Sequence, residues 1–327
     1  VSRDFAGPAA AAPESSFLDD VLDGLSREHR VLPCKYFYDE LGSALFDQIC
    51  ETPEYYPTRT ELAIMRNHAG EIAAALGPRA LVVEFGSGSS TKTRVLLDAL
   101  QEPAGYVPVD ISGEHLERSA EAIRSEHAGL AVHPIHADFT RRFTLPTALV
   151  ESARRIAVYF PGSTIGNFTP EQAEALMWAI GELVGHGGHL LVGTDLVKPV
   201  DLLEAAYDDA SGVTARFNLN LLARINRELD GDFDVERFRH VAIYEPRHER
   251  MEIFIESLAD QSVRVGDRSF AFSAGERILT EYSHKYTAES FERLGRRAGF
   301  SLRERWTDPE DRFAVQLLLR TNADPLS

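Results

Sequence analysis

The chain has 327 residues, 44% apolar and 26% charged, with 51 acidic against 34 basic side chains and a formal net charge of −17. That balance leaves no electrostatic footprint for nucleic acid. No apolar run nears the roughly 18 residues of a membrane span, and the length suits one large domain or two ordinary ones.

The chain opens on Val1 rather than Met, which reads as a trimmed start, and no basic region followed by an apolar core marks a signal peptide. Residues 1–16, rich in Ala, Pro and Ser, read as a loose tail. Phe17, Leu18, Val21, Leu22 and Leu25 recur at helical spacing and predict a helix over 17–32. Two cysteines, Cys34 and Cys50, have neither metal nor redox spacing, so a reducing cytoplasm is expected. Tyr36, Phe37, Tyr38, Phe46, Tyr55 and Tyr56 crowd one short stretch. They can be aromatic packing of an N-terminal helical layer or a pocket wall offering flat faces and phenol hydroxyls. A helix over 61–75 leads to the first strand.

From residue 80 to 195 strands and helices alternate. Strand 80–85 precedes helix 90–101; strand 106–110 precedes helix 113–126; strand 131–135 follows. Strand 155–160 leads into Pro161-Gly162-Ser163-Thr164-Ile165-Gly166-Asn167 and a helix to about 184, and strand 189–195 ends the run. This predicts a parallel sheet covered on both faces, with ligands beyond the carboxyl ends of its strands. Residues 198–228 read as helical and 240–286 as β-rich. Helix 287–299 and strands 301–306 and 313–319 return to the first sheet. No internal repeat or low-complexity core is visible.

The first strand ends in Glu84-Phe85-Gly86-Ser87-Gly88, a turn whose glycines permit close approach of backbone to a ligand. The third glycine of a dinucleotide fingerprint is replaced by Thr91, and Glu84 would repel a pyrophosphate but suits a cationic, amine-bearing ligand. Asp110, 22 residues beyond Gly88, can accept from both hydroxyls of a ribose. Asp138-Phe139 offers an acceptor for an adenine amino group and a ring to stack on it. Together these features suit S-adenosylmethionine rather than NAD. His133 and His136 lie on opposite faces of a strand, and His186 and His189 sit in a Gly-rich turn without carboxylate support, so no metal is expected. No Gly-x-Ser-x-Gly marks a hydrolase. Glu281 and Ser283 lie two apart on a strand, so one polar ligand group can meet both, although plain surface alternation explains them too.

Four longer motifs carry a resemblance: Lys35-Tyr36-Phe37-Tyr38-Asp39-Glu40-Leu41-Gly42-Ser43, Glu54-Tyr55-Tyr56-Pro57-Thr58-Arg59-Thr60-Glu61, Gly162-Ser163-Thr164-Ile165-Gly166-Asn167, and Thr280-Glu281-Tyr282-Ser283-His284-Lys285-Tyr286. With them the chain resembles the L-histidine Nα-methyltransferases of ergothioneine biosynthesis from about residue 17 to 320. The resemblance implies an α/β fold, with a Rossmann-like class I methyltransferase sheet and a second α+β domain that closes over the amino acid. The implied segments are a tail at 1–16, the N-terminal part of the substrate domain at 17–60, the methyltransferase domain at 61–196 plus 287–320, and an inserted substrate domain at 197–286. The implied reaction is trimethylation of the α-amine of L-histidine to hercynine, the first step towards ergothioneine, with S-adenosylmethionine as methyl donor.

Carried over by motif, Glu84, Gly86, Gly88, Lys92, Asp110, Asp138 and Phe139 would bind the cofactor. Tyr55, Asn167 and Tyr207 would hold the carboxylate and amine of the substrate. Tyr38, Phe46, Gly162 and Thr214 would line the same pocket, and Glu281 and Ser283 would hold the imidazole. Tyr38, or a water held near Asn167, would take the amine proton. One departure stands in Arg250-Met251-Glu252-Ile253, where the family's usual Met is Ile253, a side chain of similar volume. The alternatives are an Nα-methyltransferase for tryptophan or tyrosine, or a non-catalytic S-adenosylmethionine-binding regulator. The expected partner is a small molecule alone, with no nucleic acid and no membrane, and the chain is expected to act as a monomer.

Overall fold

The computed structural model describes residues 3–9, 15–88 and 91–321. The chain divides into two compact units. The first holds Pro57–Val197, residues 284–321 and the N-terminal strand Arg3–Ala6; the second holds the earlier helices up to Tyr56 and Lys198–Ser283.

The first unit is built on a seven-stranded sheet. Its spatial order is Phe300–Thr307, Phe313–Arg320, His189–Asp195, Arg155–Phe160, Ala80–Phe85, Gly105–Asp110 and Ile135–His136. The last five of these run parallel, with Val83 beside both Val107 and Val158. The first two are antiparallel, the return strand placing Phe313 against Asp195. All six residues of Ala80–Phe85 and all seven of His189–Asp195 are buried. Such continuous burial is what helices on both faces of a parallel sheet impose. Alternation divides the side chains between two cores: Leu81, Val83, Phe85, Val158 and Phe160 pack on one face, while Val82, Tyr106 and Tyr159 pack on the other. From Ala80–Phe85 the chain continues to one side of the sheet and from Arg155–Phe160 to the other. A crevice therefore opens at the carboxyl ends of these two neighbours, the usual ligand position in a doubly wound, Rossmann-like sheet.

The second unit is α+β. Its four-stranded sheet runs Arg30–Val31, Arg277–His284, Arg250–Ser257 and Phe238–Glu245, accompanied by the hairpin Gln261–Val265 and Arg268–Phe272. Helices Phe17–Ser26, Glu40–Glu51 and Val213–Glu228 supply the apolar core, with Val21, Leu45, Ile49, Phe217 and Leu221 buried together.

Several boundaries differ from those expected. Within the expected tail, Arg3–Ala6 form a strand antiparallel to Arg142–Leu145, and Phe5 is fully buried between Phe85 and Phe143. One buried position among four residues is too short a pattern to read, and residues 10–14 lie outside those described. The first helix stops at Ser26, because the chain turns extended at Arg27 so that Arg30–Val31 can pair with Ile278 and Leu279. The helix expected over 61–75 spans Tyr56–Leu76. The strand expected at 131–135 reduces to a bridge at Val132 and a pair at Ile135–His136, Pro134 lying between them. The helical run 198–228 is two helices, Val200–Tyr207 and Val213–Glu228, parted by a turn with Gly212 at φ +70°.

Candidate functional site

The candidate residues fall into two groups, one in each unit. In the first unit the strand Ala80–Phe85 ends in Gly86 at φ +71° and Gly88 at φ +45°, a conformation that side chains other than glycine rarely adopt. Gly86 N–H donates to the Val109 carbonyl, which fastens the turn to the neighbouring strand. Asp110, at the tip of that strand, accepts from Ser112 N at 2.9 Å and lies 3.5 Å from Gly88 N. Asp138 Oδ1 accepts from the backbone and hydroxyl of Thr140, and Arg141 Nε lies 3.9 Å from Oδ2. The Phe139 ring stacks on Phe85 at 5.3 Å, and its edge would lie 4.0 Å from a Cβ placed at Gly86. The glycine turn, both acidic tips and the Phe139 ring thus share the carboxyl end of the sheet.

Glu84 is different. Alternation turns it to the face of Val82, where both carboxylate oxygens accept from Thr93 Oγ1 and one accepts from the Tyr106 hydroxyl. Its side chain is buried beneath the turn, so the cationic ligand expected from the sequence meets no free carboxylate here. Burial pushes its pKa up to about 7, against the opposing hydrogen bonds of Tyr106 and Thr93. A folded pKa above the unfolded value of 4.5 means stability present below pH 4.5 and lost as pH rises through about 7. Wild-type stability is therefore expected to fall by about 3 kcal/mol across that window. Glu84→Gln, which cannot ionise, should lack that slope; urea unfolding of both proteins at pH 5 and pH 8 checks it, and parallel profiles would refute the assignment.

Lys92, in the first turn of helix Thr91–Ala99, reaches the fully buried Glu61, whose Oε2 also accepts from Gly162 N at 2.9 Å. Gly162 and Ser163 have φ of +75° and +59°, forming the turn after strand Arg155–Phe160. Gly162 was expected in the substrate pocket; the structure sets it beside Lys92, whose Nζ is 3.7 Å from its missing Cβ. Asn167 closes the same turn, half-buried.

In the second unit a chain of rings forms from residues far apart in sequence. Tyr38 and Phe46 meet at 5.8 Å, Phe46 and Tyr55 at 6.2 Å, and Tyr55 and Tyr207 at 6.2 Å, all edge to face. Burial, then the neighbouring Tyr207, raises the Tyr55 hydroxyl well above its ordinary pKa, with Glu281 among the further contributors. Tyr55 therefore keeps its proton at neutral pH and offers its hydroxyl as a hydrogen-bond donor. The Tyr207 hydroxyl shares a 2.7 Å hydrogen bond with Ser283, and Glu281 lies two residues back on the same strand face. Ile253 is buried with Leu203 and Met251, and Tyr207 packs against that cluster.

Two polar groups, the buried Asp209 and the half-buried His240, hold these side chains in place. Asp209 accepts from Ser211 Oγ and from the backbone of Val213 and Thr214, starting the helix that carries Thr214. Burial opposes its charge, but those bonds outweigh the cost and hold it well below the usual carboxylate range. His240 accepts from Asn218 at Nδ1 and donates from Nε2 to the Tyr207 carbonyl; burial lowers its pKa, so it stays neutral.

Sequence reasoning missed Glu61, Phe217 and Asp209. Phe217 touches both Tyr38 and Phe46 and shares a helix face with Val213 and Leu221, a spacing that reads only as core. Glu61 did leave a signal, since it shares a helix face with the buried Ile64 and Met65, where a carboxylate needs a partner. Among the described residues no three His, Cys, Asp or Glu side chains gather as a metal site, and no helix is long and apolar enough to cross a membrane.

A family model described as histidine-specific, SAM-dependent methyltransferase matches residues 17–320. A histidine N-alpha-methyltransferase of Mycolicibacterium smegmatis is 41% identical over 317 residues, covering 95% of this chain and 97% of that protein. One of Mycobacterium tuberculosis is 43% identical over 303 residues, 91% and 93% of the two chains. Ergothioneine biosynthesis protein 1 of Neurospora crassa is 29% identical over 295 residues; these are 85% of this chain but 32% of that longer protein.

Proposed function

Because the chain belongs to the histidine-specific, S-adenosylmethionine-dependent methyltransferase family, we propose that it trimethylates the α-amine of L-histidine to hercynine, the entry to ergothioneine. The donor's sulfonium supplies an activated methyl group for in-line displacement by a neutral amine. The residues present suit that donor: positive-φ glycines leave room for close approach, Asp110 and Asp138 offer acceptors, and Phe139 offers a ring beside them.

The observation that best supports histidine is the half-buried Glu281 beside the Ser283–Tyr207 hydrogen bond, next to aromatic walls. A carboxylate there pairs with an imidazole N–H, and an amino acid lacking that N–H would leave it unpaired. Tyr55, kept protonated by burial, suits the substrate carboxylate as a donor. Gripping the substrate at both ends aims the amine, and positioning of this kind supplies a large share of rate in displacement chemistry. Tyr38, or a water held near Asn167, would take the amine proton, and Ile253 replaces the family's Met with a side chain of similar volume. A small-molecule substrate, a monomeric state and a cytoplasmic setting complete the reading.

The test is mass spectrometry of the protein incubated with S-adenosylmethionine and histidine, tryptophan, tyrosine or phenylalanine in turn. Three methyl groups gained by histidine alone is the expected result. Methylation of another amino acid in preference would overturn the substrate, and none at all would leave a binding protein.

A further inference from the structure

We propose that Glu61 is a positioning residue, fixing Lys92 and the Gly162 turn as one unit at the methyl donor's amino-acid end. The proposal rests on the reading of Lys92 as a cofactor-binding residue and adds what holds it there.

Glu61 has no exposed surface, and an ionised carboxylate so placed is costly unless paired. Its Oε2 takes the Lys92 ammonium at 2.5 Å and Gly162 N–H at 2.9 Å, so a single oxygen sets the spacing of two groups, one on a helix and one in a turn. Its Oε1 has no hydrogen-bond partner among the described residues and lies against Gly193, where a Cβ would come within 2.2 Å. Strand His189–Asp195 thus has a glycine where this carboxylate needs the space.

The electrostatics favour the same role. Lys92 stands in the first turn of its helix, where the macrodipole disfavours a cation. Glu61 offsets that from the buried side and holds the ammonium in one place. The lysine side chain keeps 18% exposure, so it is open on its other side. A helix N-terminus combined with a fixed, partly open ammonium is a site for an anion. The group of matching chemistry on the donor is the carboxylate of its methionine part. Without Glu61 the lysine is a flexible chain end that must be ordered on binding, and the Gly162 turn keeps its tie through Ser163 to Asp195 N but loses the one to Gly162 itself.

A purely structural Glu61 would affect folding and leave cofactor affinity alone, so both are measured. S-adenosylmethionine and S-adenosylhomocysteine binding is followed by calorimetry for Glu61→Gln, Lys92→Met and the double variant, with thermal midpoints recorded alongside. Lys92→Met should weaken binding about 10- to 100-fold, the factor carried by a charge-assisted hydrogen bond, and Glu61→Gln by about tenfold. The double variant should bind no more weakly than Lys92→Met alone, because the two side chains act as one device. KM for histidine should stay within about twofold in Glu61→Gln if the effect is confined to the donor side. Normal cofactor affinity in Glu61→Gln beside a weakened Lys92→Met overturns the proposal and leaves the cofactor reading intact, as does full additivity. Normal affinity in Lys92→Met overturns that reading and the proposal with it. Should Glu61→Gln fail to fold, Gly193→Ala displaces Oε1 while keeping the charge; it should weaken donor binding, and unchanged affinity would count against the role.

Discussion

Replacing Glu281 by alanine is expected to lower kcat/KM for histidine about 100-fold, and to leave any turnover of phenylalanine unchanged or improved. The asymmetry follows from the site. Glu281 lies on the strand face that carries Ser283, and Ser283 is held by Tyr207, whose ring meets Tyr55. Histidine would give the carboxylate an N–H, whereas phenylalanine would desolvate it and give nothing back. Removing the carboxylate therefore deletes the bond for histidine and the penalty for phenylalanine. Glu281→Gln keeps an acceptor without the charge and should fall between wild type and alanine. Competition assays with mixed amino acids read the ratio directly. A variant that is slower on every substrate by one common factor would mean that Glu281 shapes the pocket and does not read the imidazole.

How much of this was legible depended on whether the determining contacts were local. The strands Ala80–Phe85, Arg155–Phe160 and His189–Asp195 are apolar runs buried on both faces, and such runs announce themselves by composition and length. The two glycines after Phe85 likewise mark a backbone conformation that only a turn requires. Glu84 sits one residue from that turn yet was misread, because alternation gives the face a side chain takes and not what lies on it. What lies there is Thr93, on the following helix, and Tyr106, 22 residues on in the next strand. The role of Asp209 was hidden for a similar reason. Asp208-Asp209-Ala210-Ser211-Gly212, mostly poor helix formers, does mark a turn, but the carboxylate's acceptance of the Val213 and Thr214 N–H groups is visible only once the second helix exists. The pairing of Tyr207 with Ser283 spans 76 residues and has no local signature at all.

The N-terminal strand is the clearest case of a contact that sequence could not announce, and it makes the second large prediction. Phe5→Ala is expected to destabilise the first unit by about 3–5 kcal/mol, the range for removing a fully buried phenylalanine ring. The ring lies 4.7 Å from Phe143, nearly parallel, and 5.3 Å from Phe85, edge to face. Four strand residues cannot collapse around the space it leaves, since their register to Arg142–Leu145 is fixed by pairing along the whole strand. The cavity would open beneath Phe85, the residue before the glycine turn, which in turn supports the Phe139 ring at 5.3 Å. Loss of Phe5 should therefore reach the donor site through Phe85, and added S-adenosylhomocysteine should recover part of the lost stability by mass action. Phe5→Leu keeps most of the volume and should cost about 1–1.5 kcal/mol. Urea unfolding of the three proteins, with and without S-adenosylhomocysteine, measures both effects. A loss under about 1 kcal/mol in Phe5→Ala would restore the loose tail, because a residue that leaves the fold so cheaply was never part of its core.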